Sequence, residues 1–435
     1  MSFHSYLSRK LFWFQDFTQG GVIWREYKDI RRIYHGGDRI TLLDHMLKYT
    51  VKNVAFYKNF KYVTLQDFPI VSKKIINENY EKFLVPPTNI PGQKGELHIQ
   101  KTSGSTGIPF LIPQDTKCRL RRLATIKFEN DLLGFHSFEP LLHLRATSHY
   151  WKGFLDKYDK KNNIWYSDNS NLTEERLKTI INIIRAHKIR FVRGYMTTLD
   201  FIADYLIKYN IALPSKPLFI SVGELLTESL RKKIVYDLKC NIVSQYATEE
   251  NGIFGTSTIN GEGTTIKLNR ANCIIEILKL DSDQPAKDGE IGRIVVTDLI
   301  NHAMPLIRYD TGDLAAVGNR CADGYPSLLI NLSGRKTDLI TRVDGSYVDF
   351  YNSIPKEIFL NTEIKQWQFI QEDEKIYTLR LSLAQETAYI DEKYVTDNIK
   401  KIIGDSAIIN FDYVNEIPVL DSGKRRSVIN KYQRN

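Results

Sequence analysis

Apolar residues recur at helical spacing over residues 173–188, TEERLKTIINIIRAHK, where Leu177, Ile180, Ile181 and Ile184 share one side. That period predicts an amphipathic helix, and Thr173 stands where an N-cap is needed. A second helix is predicted over 197–208, with Leu199, Ile202, Tyr205 and Leu206 on its apolar side. Between the two, IRFVRGY reads as a short strand ending at Gly194. The run LFISVGE repeats the theme: strand, glycine, then a helix from about Thr227. CNIVSQYA reads as a further strand of the same kind. Strand, helix and strand at this spacing predict an α/β domain with parallel pairing.

From about residue 264 the pattern turns to β. NCIIEILKL, GRIVVTDLI and PSLLINLSG are rich in β-branched residues and bounded by Gly, Pro and Asp. Past Gly334 a smaller unit is expected, with a strand at IYTLRLSLA, a helix near 391–403 and a strand at AIINFDYV. The predicted boundary lies near 334–340. It divides the chain into a large domain, 1–335, and a small α+β domain, 336–435.

Length agrees with that division, because 435 residues exceed one ordinary core. The net charge of +9 is spread along the chain. Short clusters such as Arg119, Arg121 and Arg122 are not interleaved with aromatics, so no nucleic-acid partner is expected. Cys118, Cys240, Cys273 and Cys321 lie far apart without CxxC or zinc-ligand spacing. Free thiols in a reducing cytoplasm are the expectation. Near the N-terminus the apolar block Leu11 to Phe14 is too short for a signal-peptide core. No stretch approaches the ~20 apolar residues of a membrane span. The first helix-forming segment reads either as a packed helix or as an amphipathic helix on a membrane surface.

Four short motifs carry candidate chemistry. In Thr102-Ser103-Gly104-Ser105-Thr106-Gly107-Ile108-Pro109, small residues let the backbone approach a ligand, and successive N–H groups can cradle phosphate. The alternative is a plain Ser/Gly loop; neither a Walker loop nor GxGxxG is present. In Pro305-Leu306-Ile307-Arg308-Tyr309-Asp310-Thr311-Gly312-Asp313, Asp313 after a glycine turn could accept from a ribose diol, or the turn could be mere surface. In Ser333-Gly334-Arg335-Lys336-Thr337-Asp338, Arg335 could reach a phosphate or a ribose, or form a linker ion pair. In Pro418-Val419-Leu420-Asp421-Ser422-Gly423-Lys424, the lysine could neutralise charge on a phosphate under attack. Taken alone it reads as an exposed turn.

In this order, from about Phe68 to Lys424, the motifs resemble the adenylate-forming superfamily, and within it the phenylacetate–CoA ligase and CapK-like branch. TSGSTGIP resembles its phosphate loop and PLIRYDTGD its ribose-binding motif. GRKTDLITRVDGSYV resembles the hinge and opening of its C-terminal lid. PVLDSGK resembles the lid motif whose lysine meets the reacting carboxylate and α-phosphate. SVGELL resembles the segment beside the adenine and points to Glu224. SQYATEENG resembles the YGxTE segment, which puts Tyr246 beside the adenine and Glu250 at the magnesium-binding carboxylate. Ala247 and Glu249 replace the usual Gly and Thr, so Glu249 is the alternative ligand. Thr337 stands where many relatives have Asp. Gly194-Tyr195-Met196-Thr197 lacks a proline common in CapK-type relatives.

The resemblance implies a large α/β domain with a β-rich subdomain and a small α+β lid. It implies ATP and Mg2+ as cofactors and Lys424 as the catalytic lysine. A carboxylic acid would be activated as its adenylate, then passed to coenzyme A, a carrier protein on a separate chain, or an amine. CapK-like relatives are associated with capsule and surface-polysaccharide loci. The competing reading is an inactive relative kept as a nucleotide-binding scaffold. The acid pocket is expected near 135–150, 194–200 and 222–250. The acid itself and the oligomeric state stay open. No GxSxG elbow or HExxH pair occurs. His302 reads as a loop histidine or as a substrate contact.

Overall fold

The computed structural model describes residues 3–102, 110–145, 155–335, 339–348, 350–355, 358, 364–383, 390–417 and 426–432. They form two compact units. One comprises Met1–Thr311 with Ala315–Leu332, the other Gly312–Leu314 with Ser333–Asn435.

The large unit is built on a 13-stranded sheet. Its parallel part runs Ile164–Asp168, Leu141–Arg145, Phe191–Tyr195, Leu218–Val222 and Asn241–Thr248, in that spatial order. Strand alternation sorts the side chains onto two faces. Leu142, Leu144, Val192, Phe219 and Ile242 pack under the helices Glu174–Ala186 and Met196–Lys208. Leu141, Phe191, Leu218, Ile220 and Val243 face the other way and meet Leu133 and Phe135. Those two residues follow the helix Thr116–Leu132. Thr173 caps the first of these helices, its side chain accepting from the Arg176 N–H. Thr227 caps Glu228–Lys232 in the same way. Both caps satisfy an amide that a helix start leaves unpaired.

The rest of the sheet is largely antiparallel and includes Cys273–Leu278, which is buried throughout, and Ile291–Asp298. The predicted β-rich region is therefore continuous with the parallel part. Helix Thr116–Leu132 also receives the N-terminal helices. Arg9 pairs with Asp131 at 3.1 Å and the Tyr27 hydroxyl donates to the same carboxylate at 2.8 Å. Arg121 holds both Glu26 and Asp29, at 2.6 and 2.7 Å. The first segment is thus a helix, Phe3–Thr18, with Phe12, Trp13 and Lys127 in contact, while Leu11, Phe14 and Phe17 stay exposed. Among the described residues no helix is long and apolar enough to cross a membrane.

The small unit carries a four-stranded sheet in the order Ile408–Tyr413, Ile376–Leu383, Ile364–Gln371, Val428–Asn430. Helix Glu392–Ile403 lies against it through Val395, Ile399 and Ile403, at successive four-residue steps. Gly404 ends that helix at φ +114°, where a Cβ would also strike Val343 at 2.1 Å. Phe350, Phe369 and Tyr377 stack in the core, and the Tyr377 hydroxyl donates to the Thr341 carbonyl at 2.6 Å.

Candidate functional site

In an open α/β sheet, ligands gather at the carboxyl ends of the parallel strands. Here those ends are Arg145, Asp168, Tyr195, Val222 and Thr248. Glu224 lies two residues beyond its strand. Its Oε2 accepts from the Thr197 N–H at 2.8 Å and from the Thr197 hydroxyl at 2.9 Å. Thr197 opens the helix after the neighbouring strand, so Glu224 places negative charge at a helix N-terminus. Burial, followed by the charges of Glu224 and Glu249, raises the Tyr195 hydroxyl above its ordinary range, while Arg145 opposes them. These four side chains share one electrostatic neighbourhood.

The strand Asn241–Thr248 turns back through Glu249, Glu250 and Asn251 into Gly252–Thr256. A three-residue hairpin loop needs a left-handed residue, and Gly252 supplies it at φ +83°. Arg122 pins this loop from the helix below, donating to the carbonyls of Glu249 (3.1 Å) and Glu250. The loop thereby meets two other motifs. The Gln100 side-chain amide donates to the Glu249 carboxylate. The Tyr309 hydroxyl donates to Glu250 Oε1 at 3.4 Å. Tyr246 packs on Phe254 with ring centroids 5.0 Å apart.

Gln100 belongs to strand His98–Thr102, which pairs antiparallel with Phe110–Gln114. Thr102 faces Phe110, so the candidate phosphate loop connects the two arms of a hairpin. Ser103, Gly104, Ser105, Thr106 and Gly107 lie outside the described residues, as do Thr337 and Lys424. Arg335 ends the strand Pro326–Arg335. Asp313 lies within the strand Tyr309–Arg320, and Gly312 at φ +78° kinks it there. The expected glycine turn is thus a kink within a strand that continues to Arg320 and lies between two neighbours in the sheet.

Two residues of the ribose-like motif have structural tasks. Arg308, buried at φ +49°, pairs with Glu276 at 3.1 Å and donates to the carbonyls of Gln66 and Phe68. Asp310 pairs with Arg293 at 2.8 Å. His302 is a loop clamp. Its N–H donates to Asp115 at 2.6 Å, its Nδ1 lies 3.2 Å from the Ile300 carbonyl, and its ring meets Tyr49.

The donor set fits a magnesium ion that arrives with a nucleotide. Among the described residues no cluster of three or more His, Cys, Asp or Glu could hold a metal. Glu250 nonetheless offers a hard oxygen, and Mg2+ commonly takes one or two carboxylates plus phosphate and water. Sequence reasoning missed Gln100 and read Arg122 only as one of a short basic cluster; each lies far in sequence from the loop it contacts, and no local pattern marks that contact.

The fold is that of the adenylate-forming enzymes, a mixed α/β sheet domain with a small C-terminal domain. Among solved structures the chain is similar to a 2-hydroxyisobutyryl-CoA ligase in complex with an acyl-adenylate. The TM-score is 0.66 at 16% identity, covering 90% of this chain and 88% of that one. An amide bond synthetase from Marinactinospora thermotolerans is similar over 75% of this chain and 67% of its own, with TM-score 0.54 and 14% identity.

Residues 341–431 match the family model of the CapK C-terminal domain. Over 431 residues the chain is 23% identical to Protein CapK of Staphylococcus aureus, covering 93% of this chain and 92% of the relative. It is also 28% identical to a phenylacetate-coenzyme A ligase of Thermus thermophilus over 151 residues, 32% of each chain. The resemblance to the CapK-like and phenylacetate–CoA ligase branch therefore holds.

Proposed function

We propose that this protein activates a carboxylic acid as its adenylate and passes the acyl group to a thiol or an amine. The observation that carries this reading is the meeting of three distant motifs. Gln100 beside the phosphate-loop hairpin binds Glu249, and Tyr309 of the ribose-like motif binds Glu250. The hairpin that carries the phosphate-loop-like segment and the first residue of the strand of the ribose-like motif thus both reach the loop of Glu249 and Glu250, at the carboxyl ends of the parallel strands.

In the first step a carboxylate oxygen attacks the α-phosphorus of ATP and pyrophosphate leaves. Backbone and hydroxyl donors of Thr102 to Gly107 hold the terminal phosphates. Glu250 would hold Mg2+, with Glu249 as the alternative, and the chemistry supplied there would be neutralisation of phosphate charge. Tyr246 and Glu224 border the adenine. Asp313 accepts from the ribose, and Arg335 steadies ribose or phosphate. Lys424 stabilises charge on the α-phosphate, so positioning and electrostatics supply the rate. In the second step the acceptor attacks the acyl carbonyl, AMP leaves, and the acceptor's proton passes to solvent. The named neighbours comprise both a CoA ligase and an amide bond synthetase. The CapK-like resemblance adds an amine acceptor in surface-polysaccharide synthesis as one reading, beside coenzyme A and a carrier protein.

The test is acid-dependent exchange of labelled pyrophosphate into ATP with Mg2+. Aryl, fatty, amino and uronic acids are supplied to the wild type and to Lys424→Ala. Exchange with one acid class, lost in the variant, is expected. Absence of exchange with every class would replace this reading with that of an inactive nucleotide-binding relative.

A further inference from the structure

The sheet face turned toward helix Thr116–Leu132 changes character along the parallel strands. Its amino-terminal half is apolar, with Leu141, Phe191 and Leu218. One pleat further the same face carries His143 and Arg193, directly paired in register. At the strand ends come Arg145, Tyr195 and Gln245. Below the candidate site, therefore, an apolar floor gives way to hydrogen-bond donors.

Arg193 is the informative member. Among the described residues its hydrogen-bond partner is the neutral Asn130 amide oxygen, at 3.3 Å. Its Nε is shielded from solvent, and Gln245, 5% exposed, likewise buries its Nε2; among the described residues neither atom has a hydrogen-bond partner. Burial depresses the Arg193 guanidinium to about 10. His143 is depressed to about 3, by burial first and then by Arg193 and Arg145. Yet both side chains keep part of their surface accessible, as groups lining a recess do. A half-buried cation with no carboxylate partner among the described residues is costly, and so are shielded donors without acceptors.

We propose that this polar end of the sheet face forms a recess that binds a second negatively charged group on the substrate acid, with Arg193 as its counter-ion and Gln245 as an additional donor. The proposal rests on the acid-activating reading. It makes the substrate a dianionic acid whose far end lies at Arg193 while its reacting carboxylate lies beyond Tyr195. Two residues along a strand span about 7 Å, so the two anionic groups are separated by a short spacer.

The experiment compares glutarate with pentanoate, isophthalate with benzoate, and 3-phosphoglycerate with glycerate. Each pair is assayed by pyrophosphate exchange on wild type, Arg193→Met and Arg193→Lys. A preference of at least ~30-fold in kcat/KM for a dianionic member is expected, collapsing in Arg193→Met and partly restored in Arg193→Lys. The 3-phosphoglycerate pair separates a phosphate-bearing acid from a dicarboxylate. Equal or better use of the uncharged-tail acids, insensitive to Arg193, overturns the proposal.

Thermal melting without ATP keeps the two readings apart. If no acid supports exchange, stabilisation of wild type by a dianionic acid, absent in Arg193→Met, still supports the recess. Absence of both exchange and stabilisation overturns it. Without ligand, Arg193→Met should melt no lower than wild type, since it removes an unpaired charge. A marked loss of stability would instead give Arg193 a purely structural task and overturn the assignment.

Discussion

One oxygen of Glu224 receives both the backbone N–H and the hydroxyl of Thr197, at 2.8 and 2.9 Å. The carboxylate of one strand end thus caps the helix that follows the neighbouring strand. Glu224→Ala should destabilise the protein by about 1–2 kcal/mol, as loss of a cap and of a favourable charge at a helix start does. Glu224→Gln, which keeps an acceptor, should lose less. Urea denaturation of the two variants checks this, and equal losses would refute the cap.

Arg308 and Glu276 form a buried ion pair, 3.1 Å apart, inside the segment that resembles a ribose-binding motif. Burial raises the Glu276 carboxyl and Arg308 pulls it back down. Arg308→Met leaves the carboxylate stranded and should cost about 3–5 kcal/mol. Arg308→Met combined with Glu276→Leu should cost clearly less. Thermal melting of single and double variants measures the difference.

Glu129 is a pH-sensitive point of the large unit. Burial raises its carboxyl to about 7, against a weaker opposing hydrogen bond from Asn269 at 2.7 Å. Its other oxygen has no partner. The folded-state value lies above the unfolded one, so the folded protein holds this proton more tightly. The stabilising contribution is complete below about pH 4 and is lost as pH rises through 7. Glu129→Gln should therefore match wild type near pH 5 and exceed it by about 3 kcal/mol at pH 8. Melting temperatures at both pH values decide it; a gap independent of pH would refute it.

Glu249 is exposed and engaged by Gln100, whereas Glu250 is half-buried beside Tyr309. That difference favours Glu250 as the metal-binding carboxylate. Glu250→Gln should lower pyrophosphate exchange by at least ~100-fold and raise the Mg2+ needed for half-maximal rate. Glu249→Gln should change it by less than about tenfold. A reversed order would move the assignment to Glu249.

How much of this was legible beforehand varied with the local physics. The helices starting after Thr173 and Thr227 announce themselves, because an apolar stripe and a capping hydroxyl are both local signals. Helix Thr116–Leu132 does not. It lies between the sheet and the N-terminal helices, and it buries Arg121, Lys127, Glu129 and Asn130 along with its apolar residues. Arg121 pairs with Glu26, 95 residues earlier, and Glu129 accepts from Asn269, 140 residues later, so no local hydropathy stripe marks either. For the same reason Arg193 reads as one polar residue in an apolar strand. The contacts that bring Gln100, Glu249 and Tyr309 together depend on sheet topology, which spacing within any one motif does not encode.

The pairing of the N-terminal helices with Helix Thr116–Leu132 also bears on how the chain is made. Arg9 and Asp131 are separated by 122 positions. A ribosome adding roughly 5–20 residues per second leaves the first helices without their docking surface for on the order of 6–25 seconds. Trp13, Trp24 and Tyr27, which pack together in the folded protein, all precede that surface in the chain, so their contacts with one another need no residue made later.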